Sequence, residues 1–155
     1  MPTTTPAIEW RPYSRASELT PAEIEIAEKQ LCVVFPHDFV ELMSKHQGMA
    51  PKVPSFIRVG ERRVHLGSLM VLGSPEAGRN ILELVSLWRK QGYPARWMPF
   101  ARVGGAPHLA LDFTQPELPT IVYLYPDAES EDTGFWGLSH VANSVEEMLR
   151  RVETE

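Results

Sequence analysis

Five histidines and one cysteine are the side chains with which this 155-residue chain could bind a metal ion or attack a substrate. They are His37, His46, His65, His108, His140 and Cys32. No two of the histidines are four residues apart, the spacing that brings two imidazoles to one metal ion on a helix. Neither a motif around the cysteine nor a Gly-x-Ser-x-Gly turn indicates a nucleophile. We therefore predict no metal site, no cofactor and no catalytic set, and we expect a protein that binds rather than an enzyme.

Two of these side chains have non-catalytic interpretations. Cys32 lies among apolar neighbours, which predicts a buried thiol that acts as a small hydrophobic residue. His46 lies on the apolar stripe of a predicted helix, and we interpret it as a core or edge histidine with its hydrogen bonds satisfied.

The charges of the chain are unevenly distributed along its length. The first 105 residues hold 13 Lys and Arg against 10 Asp and Glu, whereas the rest hold 2 against 10, and the net charge is -5. This asymmetry predicts an acidic face and disfavours nucleic acid as a partner. Apolar runs are only a few residues long and the N-terminus lacks a signal-peptide pattern, which predicts a soluble cytoplasmic protein without a membrane partner.

Helix caps and apolar spacing predict two helices in the N-terminal part. Thr20, Pro21 and Glu23 form the pattern of a capping box that begins the first helix. The second helix starts at Pro36 and is closed by Gly48, a structural glycine placed for the left-handed conformation.

A middle helix and a C-terminal helix follow later in the chain. Ile81, Leu84, Val85 and Trp88 mark the buried face of the middle helix, which Gly92 ends. The last helix begins at Ser144, where Glu147 completes a second capping box, and it places Val152 on its inner face.

Period-two patterns between these helices predict strands. Residues 56–66 form a hairpin around the polar turn 60–63, and residues 121–125 and 135–138 form later strands. The fold class is therefore α+β, a mainly antiparallel sheet with the N-terminal helix pair, the middle helix and the C-terminal helix packed on it. We predict that residues 1–16 form an N-terminal arm and that residues 17–155 form a single domain.

The segment Trp97–Phe113 is the most distinctive in the chain and predicts a β-hairpin. Gly104 and Gly105 form its turn, because a tight reversal needs residues that tolerate positive φ. Trp97 is interpreted as a structural residue. Asp112 points away from the face occupied by its apolar neighbours, and we interpret it as a carboxylate that holds a loop through backbone N–H groups. A direct contact of Asp112 with a partner is the alternative.

The stretch after this hairpin combines acidic and aromatic residues. Its candidate partner-binding residues are Asp127, Glu129, Glu131, Asp132, Tyr123, Tyr125 and Trp136. The acidic residues could occupy a basic active-site cleft, and the aromatic residues could anchor the contact. A solvated loop and core packing are the respective alternatives.

The order and spacing of several motifs resemble those of the SUKH superfamily, which contains cell-wall-synthesis regulators and many bacterial immunity proteins. The matching segments are Leu19–Ile24, Phe35–Phe39 followed by His46–Gly48, Trp97–Phe100 with Gly104, Gly105 and Leu111–Phe113, and the capped C-terminal helix. The resemblance implies a SUKH-like domain over residues 17–155 that has no catalytic activity. It also implies an immunity protein of a polymorphic toxin system used in bacterial competition, which binds a cognate toxin, such as a nuclease, and occludes its active site. An intracellular regulatory or scaffold adaptor without a toxin partner is the alternative.

Overall fold

The structure is a computed structural model of the chain, and it describes residues 8–13, 18–73, 80–104, 107–126 and 136–154. The capping box predicted at Thr20 is formed in it. The backbone N–H of Glu23 donates to Thr20 Oγ1 at 3.2 Å, and the N–H of Thr20 donates to Glu23 Oε1 at 3.1 Å. Pro21 occupies the first helical position, where its missing N–H costs no hydrogen bond.

Four helices and nine strands occupy the described residues. The helices are α1 (Pro21–Leu31), α2 (His37–His46), α3 (Ile81–Lys90) and α4 (Val145–Arg150). The strands are β1 (Trp10–Pro12), β2 (Met49–Pro51), β3 (Ser55–Val59), β4 (Arg62–His65), β5 (Trp97–Arg102), β6 (His108–Asp112), β7 (Thr120–Pro126), β8 (Trp136–Ala142) and β9 (Val152–Thr154).

The strands pair in an antiparallel manner, which confirms the predicted α+β class. They form a four-stranded sheet in the order β5-β6-β7-β8, a three-stranded sheet β4-β3-β9 and a pair β1-β2. The predicted hairpin over 97–113 is the β5-β6 pair, in which Trp97 lies opposite Asp112. The pairing is thus divided among three sheets within the described residues.

The four-stranded sheet is apolar on both faces. Leu109 and Leu111 of β6 belong to the main core, whereas Ala110 belongs to a smaller cluster with Trp88 of α3 and Trp97. Side chains that alternate along a strand explain this division. The main core also contains residues of α1, α2 and α4, whereas the smaller cluster contains Trp88 of α3. Helices therefore pack on both faces of the sheet.

The predicted N-terminal arm includes a strand that the sequence does not indicate. Trp10 of β1 lies opposite Pro51 of β2, and its ring stacks on His46 at a centroid separation of 5.1 Å. The N–H of Tyr13 donates to the carbonyl of Gly48 at 3.0 Å, which ties the segment to the end of α2. The described part of the arm is therefore packed on the body.

The predicted C-terminal helix is too long at its end. α4 ends at Arg150, and Val152 belongs to β9, where it lies opposite Ile57 of β3. A β-branched residue fits a half-buried strand position, and pairing with β3 supplies the hydrogen bonds that override the helical spacing. The second capping box is also displaced, since the Glu147 carboxylate accepts from the N–H of Asn143 rather than from that of Ser144.

Cys32 is exposed, and the prediction of a buried thiol is wrong. Its backbone lies in the left-handed region with φ of 57° as the cap of α1, and its N–H donates back to the helix. The chain reverses there, so the apolar neighbours in sequence do not surround the thiol in space.

Candidate partner-binding surface

Tyr123 and Tyr125 lie two residues apart on β7, so both rings extend from one face of the four-stranded sheet. Their centroids are 5.3 Å apart, and the ring planes are inclined by 31°. Both side chains are half-buried, and Tyr123 packs against the main core. The two rings therefore expose part of their aromatic surface to solvent, while their buried part supports the fold.

Arg62 completes this aromatic surface from the neighbouring sheet. It lies opposite Val59 in the β3-β4 hairpin, and its guanidinium carbon is 5.3 Å from the centroid of Tyr125. A cation over a tyrosine ring is attracted by the negative potential of the ring face. We call Tyr123, Tyr125 and Arg62 the tyrosine surface.

Gly137 of β8 provides the room in which the Tyr125 ring lies. The two residues are paired across β7 and β8, and a Cβ at position 137 would collide with the Tyr125 ring. Because residue 137 has no side chain, the Tyr125 ring lies against the backbone of β8, which orients it. The sequence patterns indicate neither Gly137 nor Arg62 as part of this surface.

The sequence pattern predicts that Arg62 lies in a polar turn over residues 60–63, but the turn in the structure is shorter. Only Gly60 and Glu61 separate β3 from β4, and Gly60 has φ of 62°. A glycine at the first position of a two-residue hairpin turn is the signal that would have placed Arg62 in the strand.

The remaining predicted partner-binding residues follow β7 in sequence. Asp127, Glu129, Glu131 and Asp132 lie outside the described residues. Trp136 begins β8 opposite Pro126, but its side chain is also outside the described part. The structure therefore brings together Tyr123 and Tyr125 of the seven.

Asp112 makes contacts within its own loop. Its Oδ1 accepts from the N–H of Thr114 at 2.9 Å and from the Thr114 hydroxyl at 2.6 Å. Arg96 Nε lies 3.9 Å from the same oxygen. These contacts hold the start of the connection to β7. Trp97, opposite Asp112, is 1% exposed, and its indole N–H has no acceptor among the described residues.

The structural glycines are described in part. Gly48 lies two residues after the end of α2 and has φ of 72°, the left-handed conformation predicted for it. Gly104 has φ of 70°, whereas Gly105 lies outside the described residues. Glycine adopts such angles at little cost, which explains these residue types.

The helices and sheets described above belong to a known protein family. The family model for the SMI1 / KNR4 family (SUKH-1) matches residues 18–151. The chain belongs to this family. The match runs from the capping box of α1 to the end of α4, and it confirms the resemblance seen in the motifs. No curated protein matches the chain.

Neither a metal-binding cluster nor a membrane-spanning helix is found in the described ranges of this SUKH-1 protein. In the ranges that the structure describes, no group of three or more His, Cys, Asp or Glu side chains is arranged to hold a metal ion. No helix in those ranges is long and apolar enough to cross a membrane.

A groove between α2 and α4 contains His46, a histidine of the SUKH-1 fold with a displaced pKa. Burial, and then the positive charge of Lys45, lower the pKa of His46 below its ordinary value of 6.5. The ring stacks on Trp10, and Nδ1 is buried without a hydrogen-bond partner among the described residues. The prediction of a histidine with satisfied hydrogen bonds is therefore wrong for this nitrogen.

The lowered pKa of His46 predicts a pH dependence of stability. Because the folded state binds this proton less readily than the unfolded state, the free energy of unfolding falls as the pH drops below about 6.5. We expect His46→Phe, which keeps a ring against Trp10, to reduce this fall. Urea unfolding at pH 7.5 and 5.5 measures it, with His37→Phe on the exposed start of α2 as the control. An equal fall in the wild type and in His46→Phe would contradict the assignment.

Proposed function

We propose that the protein is an immunity protein that binds a toxic protein and blocks its active site. Membership of the SUKH-1 family supports an immunity or regulatory role. The observation that carries the choice is the tyrosine surface at the end of β7, from which the chain continues into the four carboxylates at 127, 129, 131 and 132.

The proposed mechanism is occlusion by a preformed surface. Tyrosine is enriched among residues that dominate binding energy, since it buries a large area with few rotatable bonds. The acidic residues would meet a cationic active site, as a nuclease needs for its phosphate substrate, and complementary fields would speed the encounter. In this proposal the chain itself catalyses nothing, and it acts in the cytoplasm, where such a toxin reaches its substrate.

The acidic residues contribute to association in this proposal, which gives a kinetic prediction. We expect reversal of Asp127, Glu129, Glu131 and Asp132 to lysine to lower the association rate by about tenfold or more at low salt, because steering by the field is lost. Surface plasmon resonance over a range of salt concentrations measures this rate. Reversal of Glu25, Glu41, Glu83 and Glu146, which are exposed on helices and do not belong to the tyrosine surface, is the control. An unchanged rate would remove the acidic residues from the mechanism.

The proposal as a whole is tested by co-expression with the toxic protein encoded beside the gene. We expect growth to be restored and the two proteins to purify as one complex. Expression of Tyr125→Ala with the same toxic protein shows whether rescue depends on the tyrosine surface. Absence of both rescue and complex would overturn the proposal.

A regulatory or scaffold adaptor is the second candidate, because the same family match supports a regulator. The two candidates differ in their gene neighbourhood, since an immunity gene lies next to the gene of its toxin. A neighbourhood without a toxin gene would favour the adaptor.

A further inference from the structure

A second concave site lies on the part of the fold where β1 and β2 meet β4 and β5. It has a volume of about 410 Å³ and is lined by residues from four separate segments, 11–13, 50–54, 65–68 and 102–104. Ligand sites for small molecules commonly have volumes of 300–1,000 Å³. We call this site the basic cleft.

The charged side chains of the basic cleft are all of one sign. Arg11, Lys52 and Arg102 line it together with His65, and no carboxylate is among the described residues of its wall. Lys52 approaches Glu9 only at 4.0 Å, and both side chains are more than half exposed, so this pair is weak. A cleft lined by one sign of charge focuses its field and raises the local concentration of oppositely charged ligands.

The groove between α2 and α4 shows that this one-signed lining is not a general property of the surface. That groove has a similar volume of about 490 Å³, but Lys45 and Arg150 share it with Asp38, Glu41 and Glu146. Its cations therefore have carboxylates beside them, and an anionic ligand would be repelled as well as attracted. Among the described residues that line the basic cleft there is no carboxylate, and Glu9 approaches only Lys52, at 4.0 Å.

The floor of the basic cleft is fixed by the backbone. The N–H of Gly67 donates to the carbonyl of Arg102 at 2.9 Å, and the N–H of Arg102 donates to the carbonyl of Ser68 at 2.9 Å. A Cβ at Gly67 would lie 2.5 Å from that same carbonyl oxygen, so only glycine allows this close approach. The backbone of Arg102 is thus held in a rigid wall of the cleft, and its side chain is half-buried there.

The rim of the cleft supplies apolar and aromatic area. Tyr13 and Val53 are each 48% exposed, and the exposed Pro54 belongs to the same lining. An inorganic ion would leave this area unused and would fill only part of the volume. The cleft suits an organic molecule that carries at least one phosphate group, because guanidinium groups match phosphate oxygens in geometry and charge.

We propose that the basic cleft binds a small organic phosphate of about mononucleotide size. The tyrosine surface shares no residue with this cleft, so the proposal is independent of the proposed toxin binding. Binding would place an anionic metabolite at the junction of the N-terminal strand with the body of the protein.

Isothermal titration with adenosine diphosphate, pyrophosphate and adenosine, at constant ionic strength, tests this proposal. We expect adenosine diphosphate to bind more tightly than pyrophosphate, since it also covers the apolar rim, and adenosine to bind most weakly. Arg11→Gln with Lys52→Gln removes two exposed cations and is expected to weaken adenosine diphosphate binding by about tenfold or more.

The control carries the same loss of charge elsewhere. Arg58→Gln with Lys90→Gln removes two exposed cations that do not line the cleft, and we expect less than about a twofold change. Equal weakening in both double variants would show non-specific attraction and overturn the proposal. Absence of binding by both phosphates, or adenosine binding as tightly as its diphosphate, would also overturn it.

Discussion

Phe39→Ala is expected to lower the free energy of unfolding by about 3–5 kcal/mol. Phe39 is fully buried in the first turn of α2. Its ring lies 5.1 Å from that of Phe35 and 5.8 Å from that of Phe100 on β5, measured between centroids. Truncation would remove both contacts and leave a cavity between the helix and the sheet, which the surrounding side chains cannot fill.

Urea unfolding followed by circular dichroism measures this loss. Val34→Ala is the control, because Val34 is 76% exposed and its truncation is expected to change stability by less than about 0.5 kcal/mol. A loss below about 1 kcal/mol for Phe39→Ala would mean that α2 is not packed on the sheet through this ring.

Tyr125→Ala is expected to weaken the complex with the toxic protein by at least about 2 kcal/mol, which corresponds to ~30-fold in the dissociation constant. The ring lies over the backbone of Gly137 and beneath the Arg62 guanidinium, so it is oriented before binding. A side chain that is already ordered loses little entropy on binding, which makes its contribution large. Isothermal titration with an inactive variant of the toxic protein measures the change.

Tyr13→Ala is the matched control, since Tyr13 is 48% exposed and lies outside the tyrosine surface. We expect its effect on the same complex to be less than about threefold. Arg62→Gln provides a second test of the surface that leaves the Tyr125 ring in place. Unchanged affinity in both Tyr125→Ala and Arg62→Gln would show that the complex forms elsewhere.

The elements that the sequence predicts well are those with local signals. The Thr20 cap, the left-handed Gly48 and the hairpin over 97–113 are each encoded within a few residues, and the structure has all three. Local propensity and tertiary packing agree at these positions, so a pattern of short range is sufficient.

The elements that the sequence misses depend on contacts between distant segments. β1 contains Pro12 and lies opposite a strand that ends in Pro51, so neither shows the alternation typical of a strand. β9 forms only because β3 offers it a partner, and the apolar spacing of α4 continues past the true helix end. Tertiary pairing overrides local preference in both cases.

The candidate sites are the least predictable part of the molecule for the same reason. Tyr123 and Tyr125 follow from one strand, but Arg62 reaches Tyr125 across two sheets and has no local signal beyond the glycine of its turn. The basic cleft is assembled from four segments, each of which contributes one Arg, Lys or His side chain. The uneven distribution of charge along the sequence indicates that the fold has faces of opposite charge. It does not show which cationic side chains lie next to one another.

In the proposed function this SUKH-1 protein neutralises a toxic enzyme by binding it, and an inhibition assay with the purified proteins tests that proposal. The toxic protein encoded beside the gene is assayed on its own substrate while the SUKH-1 protein is added up to and beyond an equimolar amount. We expect activity to fall to the background at about the equimolar point, and we expect Tyr125→Ala to require a large excess to reach the same inhibition. Full activity of the enzyme at a large molar excess of the wild-type protein would show that the SUKH-1 protein does not neutralise it.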